Sequence, residues 1–530
     1  MKFIARFLYV PLAGLLVLTS CAKEETESYD KFENQALEAW MTQHRSDLVE
    51  NLQSEGLYYI DLLDAGDLAS DPINTEDIWV SFDFSGRDLS GNIILTRNAD
   101  DAVLAGSFSK YTHYVPFYRY CGSENSGLME GTWLAMRRTL TLGDTYFRNN
   151  KDRLGITSPE VTLRYGSKIR LYMPSSVVGN GVEGTGGYEG QEGYSLSSKR
   201  PFIVTMEIRD TVSNPLEREG TDVDDFCELN GGLQIYSKGD DDTPATEVPE
   251  DPEDPEHPYS ETSKRWVSAC DSIPQVYVNV RYNPAEPGDQ LSFPAPYHVG
   301  YEPYVSEASV RDIDMQIAEA LKKRFHGEGD DYEKYEGVKT LEADSVTLEG
   351  TAKIWYIGRF LDGFIFDTNI DEVKELIYGE VASEGEALSY TPEEHSMITA
   401  WYYGVPKLQY GQWAALVTTS TNAYGSTGKT GGSTTESSGY SSNYLDYLNM
   451  MYYYNSLYGN SGYYNPYYGG YYGGYYGGYY DPYYSYGYGY GYGYGSGYED
   501  TSETTTTVNT EILPYTPLIF EIYIEPEEED

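Results

Sequence analysis

Residues 354–367 read Ile-Trp-Tyr-Ile-Gly-Arg-Phe-Leu-Asp-Gly-Phe-Ile-Phe-Asp, and the same aromatic pattern continues in Met397-Ile-Thr-Ala-Trp401 and in Leu416-Val-Thr-Thr-Ser-Thr-Asn-Ala-Tyr-Gly425. It is completed only after a long interruption, in Ile512-Leu-Pro-Tyr-Thr-Pro-Leu-Ile-Phe-Glu-Ile-Tyr-Ile524. The interruption, Ser437 to Tyr498, holds 25 of the chain's 56 tyrosines, with abundant glycine and Tyr-Tyr-Gly-Gly repeats. A segment without β-branched core residues cannot bury a compact interior, so the run is expected to be a disordered insertion rather than a domain. An aromatic surface that contacts a partner protein or a glycan is the sharper alternative for it. The segments on either side of the run then belong to one unit.

Rejoined, those segments resemble an FKBP-type peptidyl-prolyl isomerase domain. The resemblance implies an α+β fold, an antiparallel sheet curled over one short helix at about Glu393 to Tyr403. It also implies a chemistry. An X-Pro amide isomerises slowly because rotation must break partial C–N double-bond character. A catalyst therefore needs a dry apolar pocket that favours the twisted amide, with donors that hold its carbonyl, and no nucleophile, metal or cofactor. Carried over from the family pattern, Trp401 would be the pocket floor, and Tyr356, Phe366 and Phe520 its walls. Asp367 would pair with Tyr356 and position its hydroxyl, and Tyr424 would donate a hydrogen bond to the substrate carbonyl. Met397 and Ile398 would present side chain and backbone N–H at the helix start, and Ile512 would close one side.

The spacing from Met397 through Gly411 to Tyr424-Gly425 matches the family without a gap, as does Ile512 through Phe520. Two departures stand beside that agreement. The chain between Asp367 and Met397 is longer than usual, so the family's basic pocket residue has no clear counterpart and Leu388 or Tyr390 only loosely replaces its aromatic neighbours. The loop that overhangs the site in the family is replaced by the tyrosine-rich run, which could cover the pocket or capture substrate.

A second, more decayed copy of the pattern lies upstream. Val80-Ser-Phe-Asp-Phe-Ser-Gly86, Leu163 to Pro174 and Pro201 to Asp210 follow the order of the same family, with Gly166, Lys168, Arg170 and Pro174 at matching places. The expected strand tyrosine is Phe84, the Phe-Asp pair becomes Ile94-Leu95, no tyrosine stands near Val177-Val178-Gly179, and Trp133 is one residue out of register. This copy is expected to be a scaffold or binding domain. Strand-like segments Leu57–Leu62, Ile78–Phe84, Ile169–Met173 and Phe202–Ile208 fit it, preceded by an amphipathic helix between Phe32 and Leu52.

The N-terminus reads as an address. Lys2 and Arg6 precede an apolar run, Phe7 to Leu18, too short to span a bilayer comfortably. It ends in Leu18-Thr19-Ser20-Cys21, which resembles a bacterial lipobox and implies a lipid anchor on Cys21. Ala22-Lys23-Glu24-Glu25 resembles the export tag of lipoproteins displayed on the surface of some Gram-negative bacteria, so an outer-membrane anchor facing the cell surface is expected, ahead of the periplasmic face. The remaining cysteines are Cys121, Cys227 and Cys270; a Cys227–Cys270 disulfide would bracket an acidic, Pro-rich linker. A net charge of −48 excludes nucleic acid as a partner, because a phosphate backbone needs clustered Lys and Arg.

The organisation that follows is a signal peptide over 1–20, a tether over 21–32, the degenerate copy with its N-terminal helix over 33–236 and the acidic linker over 237–264. A bridging strand and helix follow over 265–334, the strand at Val276–Val280 and the helix near Val305 to Phe325, lined by Met315, Ile317, Ala318 and Leu321. The isomerase-like domain occupies 335–526, interrupted over 437–498. The expected function is a membrane-anchored prolyl isomerase acting on proline-containing envelope or surface proteins. The alternative is a non-catalytic FKBP-like binding subunit of an outer-membrane assembly or export complex, for which a β-barrel machine is a candidate host. Carbohydrate capture by the exposed tyrosines is a third, weaker option.

Overall fold

The computed structural model describes residues 29–125, 128–178, 201–233, 266–270, 273, 275–280, 282–285, 290–297, 307–326, 345–379, 385–394, 397–437 and 504–526. The signal peptide, Cys21, the acidic linker and the tyrosine–glycine run beyond Ser437 lie outside these residues. Residues Met1–Ser433 and Val508–Asp530 group into one compact unit, and Thr434–Thr507 into another. Of the latter only the ends are described, where the strand Gly432–Ser437 pairs with Thr504–Asn509.

Among the described residues the first unit carries two large antiparallel sheets, besides a two-stranded pair of Leu140–Thr141 with Glu160–Val161. The first is built from β1 (Tyr59–Ala65), β2 (Ile78–Asp88), β3 (Ile93–Thr96), β4 (Phe117–Cys121), β5 (Ser167–Met173) and β6 (Phe202–Val212). Its order is β1-β5-β6-β2-β3, with β4 also on β2. The second contains β7 (Val267–Ser268), β8 (Val276–Asn279), β9 (Ala352–Arg359), β10 (Ile365–Thr368), β11 (Leu388–Tyr390), β12 (Trp413–Thr418) and β13 (Leu518–Ile524). Its order is β8-β12-β13-β9-β10, with β11 also on β9 and β7 outside β8. Apart from β7 the two sheets share strand order and chain order. The strands expected from alternation in both halves are present.

The two sheets also share a local irregularity. In the second, Gly358 pairs with Asp367 but Arg359 pairs with Ile365, so Phe366 is the extra residue of a bulge. In the first, Gly86 pairs with Leu95 and Arg87 with Ile93, leaving Ile94 in the same position. Both hairpins turn on a glycine with φ near +90°, Gly91 and Gly363. The glycines before the bulges are required for space: a Cβ on Gly358 would lie 2.6 Å from Phe366 Cζ, and one on Gly86 would lie 2.4 Å from Phe202 Cζ. Gly358→Ala is therefore expected to lower stability by about 1–3 kcal/mol, because the Phe366 ring stacks on Phe360 and meets Phe520 edge-on and has little room to retreat. Thermal unfolding of the variant against the parent protein checks this.

Helices cover the sheets. The helix α1 (Tyr29–His44) buries Leu37 and Met41, and a 3-10 turn, Ser46–Asn51, buries Leu48. The expected helix of 32–52 is thus divided at Arg45, whose φ of −140° leaves the helical region. Its guanidinium ties Asp47, Asp61 and Tyr172 instead. Three further helices of the first half are α2 (Ala99–Ala105), α3 (Glu130–Arg137), which carries Trp133, and α4 (Asp144–Leu154).

The second sheet is covered on both faces. The helix α5 (Pro215–Leu229) starts with Asn214 accepting from the Glu217 amide and Pro215 in the first turn. Its Val223, Phe226 and Cys227 pack with Trp266, Val417 and Ile519. Residues 215–229, which the sequence places with the first half, therefore lie on the second sheet. The expected bridging helix is α6 (Glu307–His326); with α7 (Asp371–Tyr378) it buries Ile317, Leu321, Val373 and Ile377 against Trp355 and Tyr523. Met315 does not line it but is 55% exposed, because it lies two residues from Ile317 and so faces away. On the opposite face, Leu518, Phe520, Ile522 and Ile524 join a core with Trp401 of α8 (Thr399–Gly404). Alternate residues of β13 thus serve both cores, which explains its nearly unbroken apolar sequence. Cys227 is a free, buried thiol, so the disulfide expected with Cys270 is not formed; burial pushes the thiol's pKa upward.

Candidate functional site

Strand β9 carries Tyr356, and the last residue of β10 together with the residue that follows it fix its backbone. The Tyr356 amide donates to Asn369 Oδ1 at 2.8 Å, and Thr368 Oγ1 donates to the Tyr356 carbonyl at 2.7 Å. Asn369 Nδ2 in turn donates to the Ile354 carbonyl at 2.9 Å. With its backbone held at these points, the phenol reaches Asp367, donating to Oδ2 at 2.9 Å.

The floor is Trp401, 1% exposed, which follows Ile398 at the N-cap of α8. Three rings meet it edge-on: Tyr356 at 5.6 Å, Phe520 at 5.4 Å and Tyr390 at 5.6 Å between centroids. Phe366 meets Phe520 edge-on at 5.8 Å and stacks on Phe360 at 5.0 Å. Such edge-to-face pairs align ring quadrupoles and add to the burial of the rings. The Trp401 Nε1 donor is buried without a hydrogen-bond partner.

Two loops close the sides. Tyr424 follows the 3-10 turn Ser420–Asn422, and its ring lies 5.7 Å from the Lys429 ammonium. Ile512, 2% exposed, pairs with Lys429 through two backbone bonds of 2.8 and 2.9 Å. Burial first, and then the charge of Asp367, push the Tyr356 phenol well above its ordinary pKa and raise that of Tyr424. Both hydroxyls therefore remain protonated donors throughout the neutral range.

The structure brings Tyr356, Phe366, Asp367, Trp401, Tyr424, Ile512 and Phe520 together, with Ile398 half-buried against the same core. Met397 is 45% exposed and stands outside it. The helix is shorter than the expected Glu393–Tyr403, because residues up to Glu394 form a turn and α8 begins only at Thr399. Cys21 lies outside the described residues. Tyr390, which the sequence offered with Leu388 only as a loose replacement for the family's aromatic neighbours, stands at one edge of the floor, and Phe360, behind Phe366, was not assigned a role. A signal existed for Tyr390, an aromatic ending a short alternating segment; for Phe360 there was none, since it lies at the start of a turn.

At the equivalent place in the first sheet the chemistry differs. Phe84 occupies the register of Tyr356, pairing with Met206 as Tyr356 pairs with Ile522. Ile94 and Leu95 stand for Phe366 and Asp367, and all three residues are buried among apolar neighbours. Trp133 is buried too, but its Nε1 donates to the Gly122 carbonyl at 3.1 Å. This position has no phenol–carboxylate pair.

No family model and no curated protein sequence matches the chain. Among solved structures, the three FKBP domains of wheat FKBP73 align over 90% of this chain and 97% of their own, at 9% identity and a TM-score of 0.20. FkpA from Escherichia coli aligns over 40% and 73%, at 11% identity and a TM-score of 0.20. A peptidyl-prolyl cis-trans isomerase from Pseudomonas syringae pv. tomato aligns over 36% and 99%, at 14% identity and a TM-score of 0.20.

Proposed function

We propose that the pocket of the second sheet is an FKBP-type peptidyl-prolyl isomerase site. The observation that carries this reading is the Tyr356–Asp367 hydrogen bond at the edge of a Trp401 floor walled by Phe366 and Phe520. A proline ring is apolar and compact, and it suits a floor made of one indole face. Dry aromatic walls favour the twisted amide, whose charge separation is smaller than that of the planar one. The Tyr424 hydroxyl supplies a hydrogen bond to the substrate carbonyl. Asp367 fixes the direction of the Tyr356 hydroxyl and adds a negative edge to the site. Rate enhancement would come from desolvation and orientation, with no bond made to the protein.

In this reading the protein is held at the outer membrane by lipid on Cys21 and acts on proline-containing clients of the envelope or surface. The apolar filling around Phe84, Ile94 and Leu95 favours a binding or scaffolding role for the first sheet. That leaves catalysis to the second.

A protease-coupled isomerisation assay on the full chain tests the proposal. The parent protein is expected to accelerate cis–trans exchange of an X-Pro peptide. Asp367→Ala and Tyr356→Phe are each expected to lower kcat/KM by roughly tenfold, the kinetic equivalent of about one hydrogen bond. A folded parent protein without acceleration would reduce the site to peptide binding at most.

A further inference from the structure

Arg97 follows β3 at the register that Asn369 occupies after β10, since Thr96 pairs with Ser85 as Thr368 pairs with Ile357. Asn369 ties its own sheet together, whereas Arg97 reaches out of its sheet. Its Nη2 donates to Glu511 Oε2 at 2.7 Å, with the two side chains 2% and 17% exposed. The adjacent Thr510 Oγ1 donates to the Tyr111 carbonyl at 2.8 Å. Tyr515, at the other end of this loop, meets Trp79 of β2 edge-on at 4.8 Å. The pocket residue Ile512 lies between these attachments.

A second group of contacts reaches the opposite wall. His113 Nε2 lies 2.6 Å from Asp362 Oδ2, and its ring packs 4.7 Å from both Phe360 and Phe364. The Tyr114 amide donates to the Tyr297 hydroxyl at 3.0 Å. Phe360 is the ring on which Phe366 stacks. Residues of the first half therefore stand behind the pocket at Ile512 and at Phe366, and none of them belongs to the set that would touch substrate.

We propose that the first sheet is a positioning element of the second pocket, in which Arg97, through Glu511, holds the Thr510–Tyr515 wall while His113 backs the Phe360–Phe366 wall. The proposal rests on the isomerase reading for its catalytic consequence, but its structural content stands apart from it. A buried charged hydrogen bond fixes geometry more than it adds stability, because desolvation offsets much of the attraction. That is the property a wall needs if it must hold its place around an apolar ligand.

Amide hydrogen exchange and peptide kinetics on the full chain, with Arg97→Met and Glu511→Gln, test it. Exchange across 508–515 is expected to rise roughly tenfold in either variant, as for a loop that opens locally, while β9 and β13 exchange as in the parent protein. KM for an X-Pro peptide is expected to rise in step, and the double variant to show no further change. Unchanged exchange across 508–515 in Arg97→Met would overturn the proposal. Should Arg97→Met loosen both sheets, the same contrast in Glu511→Gln decides. A parent protein without isomerase activity would sink the functional reading, and the exchange contrast would still decide whether the clamp exists.

Discussion

Trp401→Ala is expected to lower the unfolding free energy by about 3 kcal/mol and to reduce isomerisation by roughly a hundredfold. Removing a buried Trp side chain costs about 3–5 kcal/mol through lost burial and the cavity left behind. Trp401 meets that description, 1% exposed and in edge contact with Tyr356, Tyr390 and Phe520. Part of the loss is offset, because its Nε1 is already buried without a partner, and a stranded donor costs about 1–3 kcal/mol. The lower end of the range follows. The same reasoning separates volume from hydrogen bonding. Trp401→Phe keeps an aromatic floor while deleting the stranded donor, so it should cost less than Trp401→Ala. Chemical denaturation of both variants checks the ordering, and equal losses would show that the indole N–H contributes after all.

Arg359→Ala should be the most damaging change away from the pocket, at about 3–5 kcal/mol. The side chain crosses to the face opposite Trp401. There Nε donates to Glu521 Oε2 at 3.3 Å, and Nη1 to Asp314 Oδ1 and the Gly363 carbonyl, each at 3.1 Å. Glu521 is 1% exposed, and its other oxygen accepts the Tyr282 hydroxyl at 2.6 Å. Burial first, and then that carboxylate, push the Tyr282 phenol far upward, so it stays a donor. Deleting the cation leaves a carboxylate buried on the central strand of the sheet. Replacing both partners, as in Arg359→Met with Glu521→Gln, removes the cation together with the buried carboxylate while keeping an acceptor for the Tyr282 hydroxyl, and should cost less than Arg359→Ala alone. Urea unfolding of the single and double variants decides the point; a double variant less stable than the single one would show that the pair contributes more than its desolvation takes away.

The sequence was most legible where side chains alternate along a strand. Ile354–Asp367 and Leu518–Ile524 announce both their strands and their aromatic pocket face, because every second residue there serves one core. The opposite face was less legible. Arg359 and Glu521 stand inside these same segments, yet nothing local says that they meet each other behind the sheet. Contacts between the two halves of the chain were not legible at all. In a chain with net charge −48, Arg97 has many carboxylates to choose from, and only folding brings Glu511 to it. The helix α5 was a missed signal rather than a hidden one. Asn214-Pro215, followed by Glu217, has the chemistry of a helix start. Helix α8 was overextended for the converse reason: no side chain caps it, so its beginning has no mark in the sequence.

The paired strands Gly432–Ser437 and Thr504–Asn509 form a stem through which the tyrosine–glycine run leaves and re-enters the folded chain. Closing a loop on such a stem becomes costlier only slowly, by about 0.6 kcal/mol for each doubling of its length. Gain or loss of a few Tyr-Tyr-Gly-Gly units is then nearly neutral for folding.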